Sequence, residues 1–127
     1  MKKEHFSLKK RLLSFKYAIQ GLCYLFKNEH NAWIHLFVTG CAITAGIFLH
    51  ISPKEWIVIV FAIAIVLVAE AFNTAIEALS DLVSPDYHHL VKRAKDLAAG
   101  GVLIAAIAAV IAGLIVFVPK FIALFQS

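Results

Sequence analysis

Apolar residues follow a helical repeat over residues 1–31 and then form three longer runs. In the first segment they recur mostly three or four positions apart, and basic and polar residues occupy the opposite face. The apolar positions are Phe6, Leu8, Leu12, Phe15, Ala18, Ile19, Leu22 and Phe26, and the facing positions are Lys9, Lys10, Arg11, Lys16 and Gln20. A basic amphipathic helix is typical of a helix that lies in the headgroup region of a membrane. The pattern therefore predicts an amino-terminal surface helix.

Each of the three runs that follow is long enough, with its helical continuation, to cross a membrane, which takes about 20 residues. We predict transmembrane helices over about 32–51, 56–83 and 89–118. Breaks between and after them are predicted at Ser52-Pro53-Lys54-Glu55, Ser84-Pro85-Asp86 and Pro119-Lys120. The predicted fold class is all-α integral membrane, with one domain over residues 1–127. Small residues in the third helix, Gly100, Gly101 and Gly113, are expected to allow close approach of another helix.

The composition supports a membrane protein. Of the 127 residues, 61% are apolar and 16% are charged, and the mean hydropathy is +0.84. Soluble domains are about 45–50% apolar and about 25% charged. Because so few charges cannot cover a surface in water, a soluble enzyme is disfavoured.

The charges are segregated along the chain. The net charge is +4, from 12 basic and 8 acidic residues. Residues 56–91 hold four of the acids and no Lys or Arg, so the rest of the chain has 12 basic and 4 acidic residues, or +8. The basic residues concentrate in the amino-terminal segment and in the connection before the third span, which the positive-inside rule places in the cytoplasm. Their position beside the membrane makes nucleic acid a poor candidate for a partner.

Polar side chains share one face of the second predicted span. At 100° per residue, Glu70, Asn73, Glu77 and Asp81 fall at about 0°, 300°, 340° and 20°, within a sector of about 80°. Acids at membrane depth are costly, and they usually mark a functional site.

Several functions would explain this acidic face. It is compatible with an exposed helix end, with a proton or cation path in a channel or transporter subunit, or with a magnesium site for phosphate chemistry. The third reading gains from the nearby Arg93-Ala94-Lys95-Asp96, because Lys and Arg neutralise phosphate oxygens. A channel would need polar residues that continue across the membrane, and residues 56–69 are apolar throughout. A non-catalytic membrane anchor would leave the acids unexplained.

The polar positions resemble the prokaryotic diacylglycerol kinase family, which includes the undecaprenol kinases. The resemblance lies in the pattern E-x-x-N-x-A-I-E-x-x-x-D over residues 70–81, followed by Tyr87-His88 and R-A-K-D over residues 93–96. It extends upstream to Tyr17, Gly21-Leu22 and Asn28-Glu29, and it covers roughly residues 10 to 118. The resemblance implies a homotrimeric membrane enzyme that uses ATP and Mg²⁺ to phosphorylate a membrane lipid alcohol. The expected location is the bacterial inner or plasma membrane, with the active site on the cytoplasmic side.

The resemblance also implies roles for individual residues. Glu70 would be the general base, Asn73 would position it, and Glu29 and Glu77 would hold Mg²⁺. The residues expected around ATP are Lys10, Arg11, Tyr17, Glu29, Glu77, Asp86, Tyr87, His88, Lys95 and Asp96. The stretch 29–35 is more similar to the undecaprenol kinase branch than to the other diacylglycerol kinases. The resemblance therefore leaves two acceptors open, diacylglycerol and undecaprenol. His35 is expected to anchor its helix at the membrane interface, with headgroup binding as the alternative.

Overall fold

The computed structural model describes residues 5–127, and this part of the chain is helical apart from short connections. Its four helices are α1 (Leu8–Asn28), α2 (His30–Phe48), α3 (Pro53–Val83) and α4 (His89–Gln126). By length and composition α2, α3 and α4 are able to cross a membrane. The prediction of an all-helical protein with three helices of membrane-spanning length is confirmed. The first four residues of the predicted surface helix lie outside the described residues.

A single residue separates α1 from α2. Helix α1 begins after Ser7, whose hydroxyl accepts a hydrogen bond from the Lys10 N–H at 3.4 Å. It ends where Glu29 takes an extended conformation, with φ −108° and ψ 115°. The Glu29 N–H still donates to the Leu25 carbonyl at 3.0 Å. Glu29 thus lies at the joint where the chain changes direction between the two helices.

The apolar stripe of α1 is not covered by the other helices. Leu12, Phe15 and Ile19 are 63%, 70% and 60% exposed, whereas Leu25 near the end of the helix is 2% exposed. Within one chain, α1 is therefore held at its carboxyl-terminal end. The rest of its apolar face is available to lipid or to another molecule.

The carboxyl end of α2 differs from the predicted boundary because the chain turns at His50, which has a positive φ of 52°. The His50 N–H donates to the Ile47 carbonyl at 3.3 Å. The Ile51 N–H donates to the Gly46 carbonyl at 3.2 Å. These two bonds form a Schellman motif, which satisfies the last carbonyls of a helix. The predicted span 32–51 is thus a helix that ends at Phe48, followed by a capping turn.

The start of α3 lies within the segment that the sequence assigned to a turn. The Ser52 hydroxyl accepts from the Glu55 N–H at 3.2 Å, and the Glu55 carboxylate accepts from the Ser52 N–H at 2.7 Å. This reciprocal capping box satisfies two N–H groups at the helix end. Pro53 occupies the first helical position, where no N–H is needed. The helix therefore begins at Pro53 instead of residue 56.

The last helix passes through the predicted break at Pro119 and continues to Gln126. Proline lacks an N–H and removes one hydrogen bond of the helix, but helices in membranes tolerate this loss when neighbouring groups compensate. Lys120, the residue after Pro119, forms an ion pair with the Glu55 carboxylate of α3 at 3.6 Å. The contact lies at the level where α3 begins, so this end of α4 is tied to α3.

Two ion pairs mark the register of an antiparallel α3–α4 hairpin. Lys95 Nζ lies 3.0 Å from Asp81 Oδ1 at one end, and Lys120 pairs with Glu55 at the other. The stretch from Glu55 to Asp81 measures about 39 Å along α3, and the stretch from Lys95 to Lys120 about 38 Å along α4. Because the lengths match, the two helices keep one register along the whole hairpin. That register sets Ala105, which is 4% exposed, at the level of Glu70.

The apolar core lies at the end of the molecule away from the acidic face. Ile51, Ile59 and Val116 are buried together, and the Trp56 ring packs against them. Gly46 of α2 lies so close to this ring that a Cβ at Gly46 would be 2.7 Å from Cη2 of Trp56. The close approach expected at three glycines of α4 is not found within this chain. A Cβ added at these positions would meet no atom within 4 Å, and they are Gly100, Gly101 and Gly113.

Gly46→Ala is expected to lower the thermal unfolding midpoint of the detergent-solubilised protein, because the new methyl group would overlap the Trp56 ring. Overpacking of this kind costs about 1–3 kcal/mol. Gly40→Ala is the matched control in the same helix, since a Cβ there meets no atom within 4 Å. The control should be neutral or stabilising because alanine is the better helix former. Equal shifts of the midpoint in both variants would contradict this packing.

Candidate active site

Glu70 is a buried carboxylate with one side-chain partner. It lies on α3, it is 2% exposed, and its Oε1 is 2.9 Å from Nε2 of His35 on α2. The tautomer of His35 with its proton on Nε2 would donate to Oε1, because an ionised carboxylate only accepts hydrogen bonds. This bond compensates part of the cost of burying the carboxylate.

The sequence did not identify His35 as part of this site. It was expected at the membrane interface as an anchor, and the structure instead places it against Glu70, with its side chain 22% exposed. One signal was available, because His35 and Glu70 are both polar residues within long apolar helices. Helical periodicity does not pair residues 35 positions apart, so the contact required the structure.

The next turn of α3 carries two polar atoms without partners. Asn73 Nδ2 donates to Glu77 Oε1 over a long 3.5 Å. Asn73 Oδ1 and Thr74 Oγ1 are buried, and no hydrogen-bond partner is found for them among the described residues. Buried polar atoms are nearly always satisfied in folded proteins. The Asn73 oxygen beside the Glu77 carboxylate is thus suited to receive a cation or a donor from a ligand.

The carboxyl-terminal end of the acidic face meets α4 through Asp81 and Lys95, which form the 3.0 Å ion pair of the hairpin. Asp96 follows directly and is paired with Lys92 one turn earlier on α4. All four side chains are largely exposed to solvent. The Lys95 ammonium group therefore lies near the acidic face and remains accessible to solvent.

The predicted site residues outside α3 and α4 lie on α1, at Glu29 and in the connection before α4. Arg11 stacks over the Phe6 ring at 5.8 Å, and Tyr17 is 62% exposed. In the connection before α4, the His88 imidazole caps the helix by accepting from the Leu90 N–H at 3.2 Å. The other predicted residues in these two regions are exposed, and they are Lys10, Asp86 and Tyr87. Among the described residues, neither Arg11 nor Tyr17 forms a hydrogen bond or ion pair with the acidic face.

The predicted magnesium ligands do not form a closed site by themselves. Within residues 5–127, no three His, Cys, Asp or Glu side chains are grouped closely enough to hold a metal. Glu29 lies at the joint between α1 and α2, and Glu77 lies two turns beyond Glu70 on α3. Mg²⁺ is usually held by one or two carboxylates together with phosphates and water. Glu77 and the unpartnered Asn73 oxygen fit an ion that is bound in part by phosphate.

An apolar groove of about 590 Å³ runs between α2, α3 and α4. Residues that line it include Ile34, Val38, Ala62, Val66, Ala109 and Phe117. His35 also lines it, so the groove reaches the residue that is bonded to Glu70. The α3 residues at positions 59, 63 and 66 line the groove at helical spacing, and residue 70 is the next position on the same face of the helix. The groove therefore extends from the apolar core to His35, the hydrogen-bond partner of Glu70.

Comparison with known proteins connects this arrangement to one family. A sequence model described as prokaryotic diacylglycerol kinase matches residues 16–117. The chain is 43% identical to a diacylglycerol kinase of Synechocystis over 89% of its own length and 65% of that relative's length. It is 36% identical to the undecaprenol kinase of Bacillus subtilis over 84% of this chain and 87% of the relative. It is 32% identical to a diacylglycerol kinase of Escherichia coli over 76% of this chain and 85% of the relative.

Proposed function

Because this chain belongs to the prokaryotic diacylglycerol kinase family, we propose that it is a lipid kinase that transfers phosphate from ATP to a membrane lipid alcohol. The acceptor is diacylglycerol or undecaprenol, the alcohols after which its relatives are named. The observation that carries the proposal is the buried Glu70 carboxylate, which lies 2.9 Å from His35, a residue that lines an apolar groove. A groove of this kind is suited to a lipid tail, and a lipid bound there would bring its hydroxyl toward the His35–Glu70 pair.

In the proposed reaction, Glu70 accepts the proton of the lipid hydroxyl while the hydroxyl oxygen attacks the γ-phosphorus of ATP. The bond from the γ-phosphorus to the bridging oxygen breaks, and ADP leaves with that oxygen. The transfer is direct and in line, so no phosphoenzyme forms. Phosphoryl transfer depends mainly on placement and charge neutralisation. In this proposal Glu70 takes the proton, and Asn73, whose amide donates to Glu77 and not to Glu70, holds the acceptor in place.

ATP binds, in this proposal, on the cytoplasmic side of Glu70. Glu29 and Glu77 hold Mg²⁺, which neutralises charge on the phosphates when it is bound. Lys95 contacts the phosphates, and its present partner Asp81 lies 3.0 Å away, so a phosphate oxygen would replace or share that ion pair. The remaining residues proposed to surround the nucleotide are Lys10, Arg11, Tyr17, Asp86, Tyr87, His88 and Asp96. They come from α1, from the connection before α4 and from α4 itself.

The proposed setting is a bacterial inner or plasma membrane with α1 on its cytoplasmic surface. The exposed apolar stripe of α1 would face the lipid, and its basic side chains would face the headgroups. Large apolar residues on the spanning helices are also exposed, among them Phe37, Phe61 and Ile104 at 73%, 71% and 71%. Lipid and the other copies of a homotrimer would cover them. The surface helix, the orientation and the trimer are parts of this proposal.

The groove favours a kinase over a carboxylate-lined channel. An ion that moved beyond His35 would meet mainly apolar side chains, such as Ala62, Val66 and Val110. Such a wall offers no ligands to replace the hydration shell of an ion. The same wall is suited to a hydrocarbon tail.

The proposal is tested by incubating the purified protein with radiolabelled ATP, Mg²⁺ and micelles that contain either diacylglycerol or undecaprenol. A labelled lipid is expected with at least one of these alcohols. Glu70→Gln should lower kcat by about 100-fold or more, because a general base contributes at least that factor, while MgATP binding remains. Failure of both alcohols to accept phosphate would contradict the proposed function. Ion flux across liposomes without a labelled lipid would favour the channel.

Glu77→Gln is expected to raise the KM for MgATP, because it removes one negative ligand of the ion. Loss of a group that supports a metal site usually costs about 10–100-fold in affinity or activity, and a change of at least about tenfold is expected here. Glu55→Gln is the matched control on α3, since it lies at the opposite end of the helix and glutamine also fits a capping box. An unchanged nucleotide KM in Glu77→Gln would contradict its metal role.

Ala109→Phe is expected to raise the KM for the lipid alcohol, because the ring would fill part of the groove that Ala109 lines. The KM for MgATP should stay the same, since the nucleotide approaches from the other side of Glu70. Ala108→Phe is the matched control because Ala108 is exposed and does not line the groove. Equal lipid KM values for the two variants would show that the tail lies elsewhere.

A further inference from the structure

We infer that His35 is a positioning residue that holds the Glu70 carboxylate oriented for proton transfer. The inference rests on the proposed function, since it assigns a role within that reaction. His35 Nε2 lies 2.9 Å from Glu70 Oε1. Donation to Oε1 leaves Oε2 as the oxygen that accepts the proton of the lipid hydroxyl. His35 thus acts through Glu70 and not on the phosphate.

Burial makes this single bond important. Glu70 is 2% exposed, so water does not replace a missing donor readily. A buried carboxylate that loses its hydrogen-bond partner is strongly destabilised, and no other side-chain hydrogen bond to Glu70 is found among the described residues. The imidazole therefore supports catalysis by fixing the direction of the carboxylate.

The other charged groups near this face have different partners. On α3, Glu77 receives the long hydrogen bond from Asn73, and Asp81 pairs with Lys95 of α4. Among the described residues, neither Glu77 nor Lys95 forms a hydrogen bond or ion pair with Glu70. The donor to the buried carboxylate comes from α2 through His35.

His35 is also placed between the carboxylate and the path of the lipid. It lines the apolar groove, and its side chain is 22% exposed while Glu70 is nearly closed off. A hydroxyl at the polar end of the groove would pass beside the imidazole before it reaches Glu70. The same residue can therefore align both the base and the approaching alcohol.

The inference is tested by comparing kcat and KM in His35→Ala and His35→Gln. The alanine variant should lose about 10–100-fold in kcat, since small errors in placement at a reacting group have effects of this size. Its KM for MgATP should not change. The glutamine variant should recover kcat to within about fivefold of the unchanged protein, because its amide can donate from nearly the position of Nε2. His30→Ala, an exposed histidine in the first turn of α2, is the control that should keep full activity.

Three kinetic results would overturn the inference. They are full kcat in His35→Ala, equal loss of kcat in the alanine and glutamine variants, and a change confined to the KM for MgATP. Thermal unfolding in detergent identifies variants that have lost their fold. If His35→Ala has lost its fold, the kcat of His35→Gln, whose side chain is polar and of similar reach, decides whether the inference holds.

A second readout does not depend on activity. In protein with nitrogen-15-labelled histidine, the His35 signal, identified by its absence in His35→Gln, should show the proton on Nε2. In Glu70→Ala this preference should disappear, because the acceptor is gone. A His35 signal that is the same in both proteins would overturn the pairing. If the unchanged protein labels no lipid, the proposed function fails, and this spectrum still decides whether His35 holds Glu70.

Discussion

A carboxylate buried between apolar helices has to be matched by a hydrogen-bond donor, and this requirement organises the molecule around Glu70. The donor is His35, which fixes the level at which α2 packs beside α3. The groove between α2, α3 and α4 reaches His35 of this pair. The apolar and polar parts of the molecule therefore meet at one contact.

The two ends of the α3–α4 hairpin differ in chemical character, since one is apolar and the other is charged. One end has the aliphatic core with Trp56, closed by the capping box and by the contact of Lys120 with Glu55. The other end has the acidic face and the exposed basic residues at the start of α4. Exposed ion pairs contribute little to stability, so the register depends mainly on how the apolar surfaces fit. The ion pairs show which register that fit selects.

Much of the architecture could be predicted from the sequence because it depends on local patterns. Long apolar runs predict membrane-length helices, and the 100° repeat places Glu70 and Glu77 on one face. The ends of the helices were harder to predict, because they depend on the geometry of individual turns. His50 adopts a positive φ that ends α2, and Pro119 is accommodated inside α4. The role of His35 could not be predicted at all, since it arises from a contact between two helices and not from any local pattern.

The length of α3 has a consequence for the membrane around it. At 1.5 Å per residue its 31 residues extend about 46 Å, well beyond a hydrocarbon core of about 30 Å. Glu70 lies about 26 Å along the helix from Pro53, which is close to the full thickness of that core. The acyl chains of the host bilayer therefore set how deeply the carboxylate is immersed. A thinner membrane would bring water nearer to Glu70 and a thicker one would keep it away, so the fatty-acid composition of the membrane would change the surroundings of this carboxylate without any change in the protein.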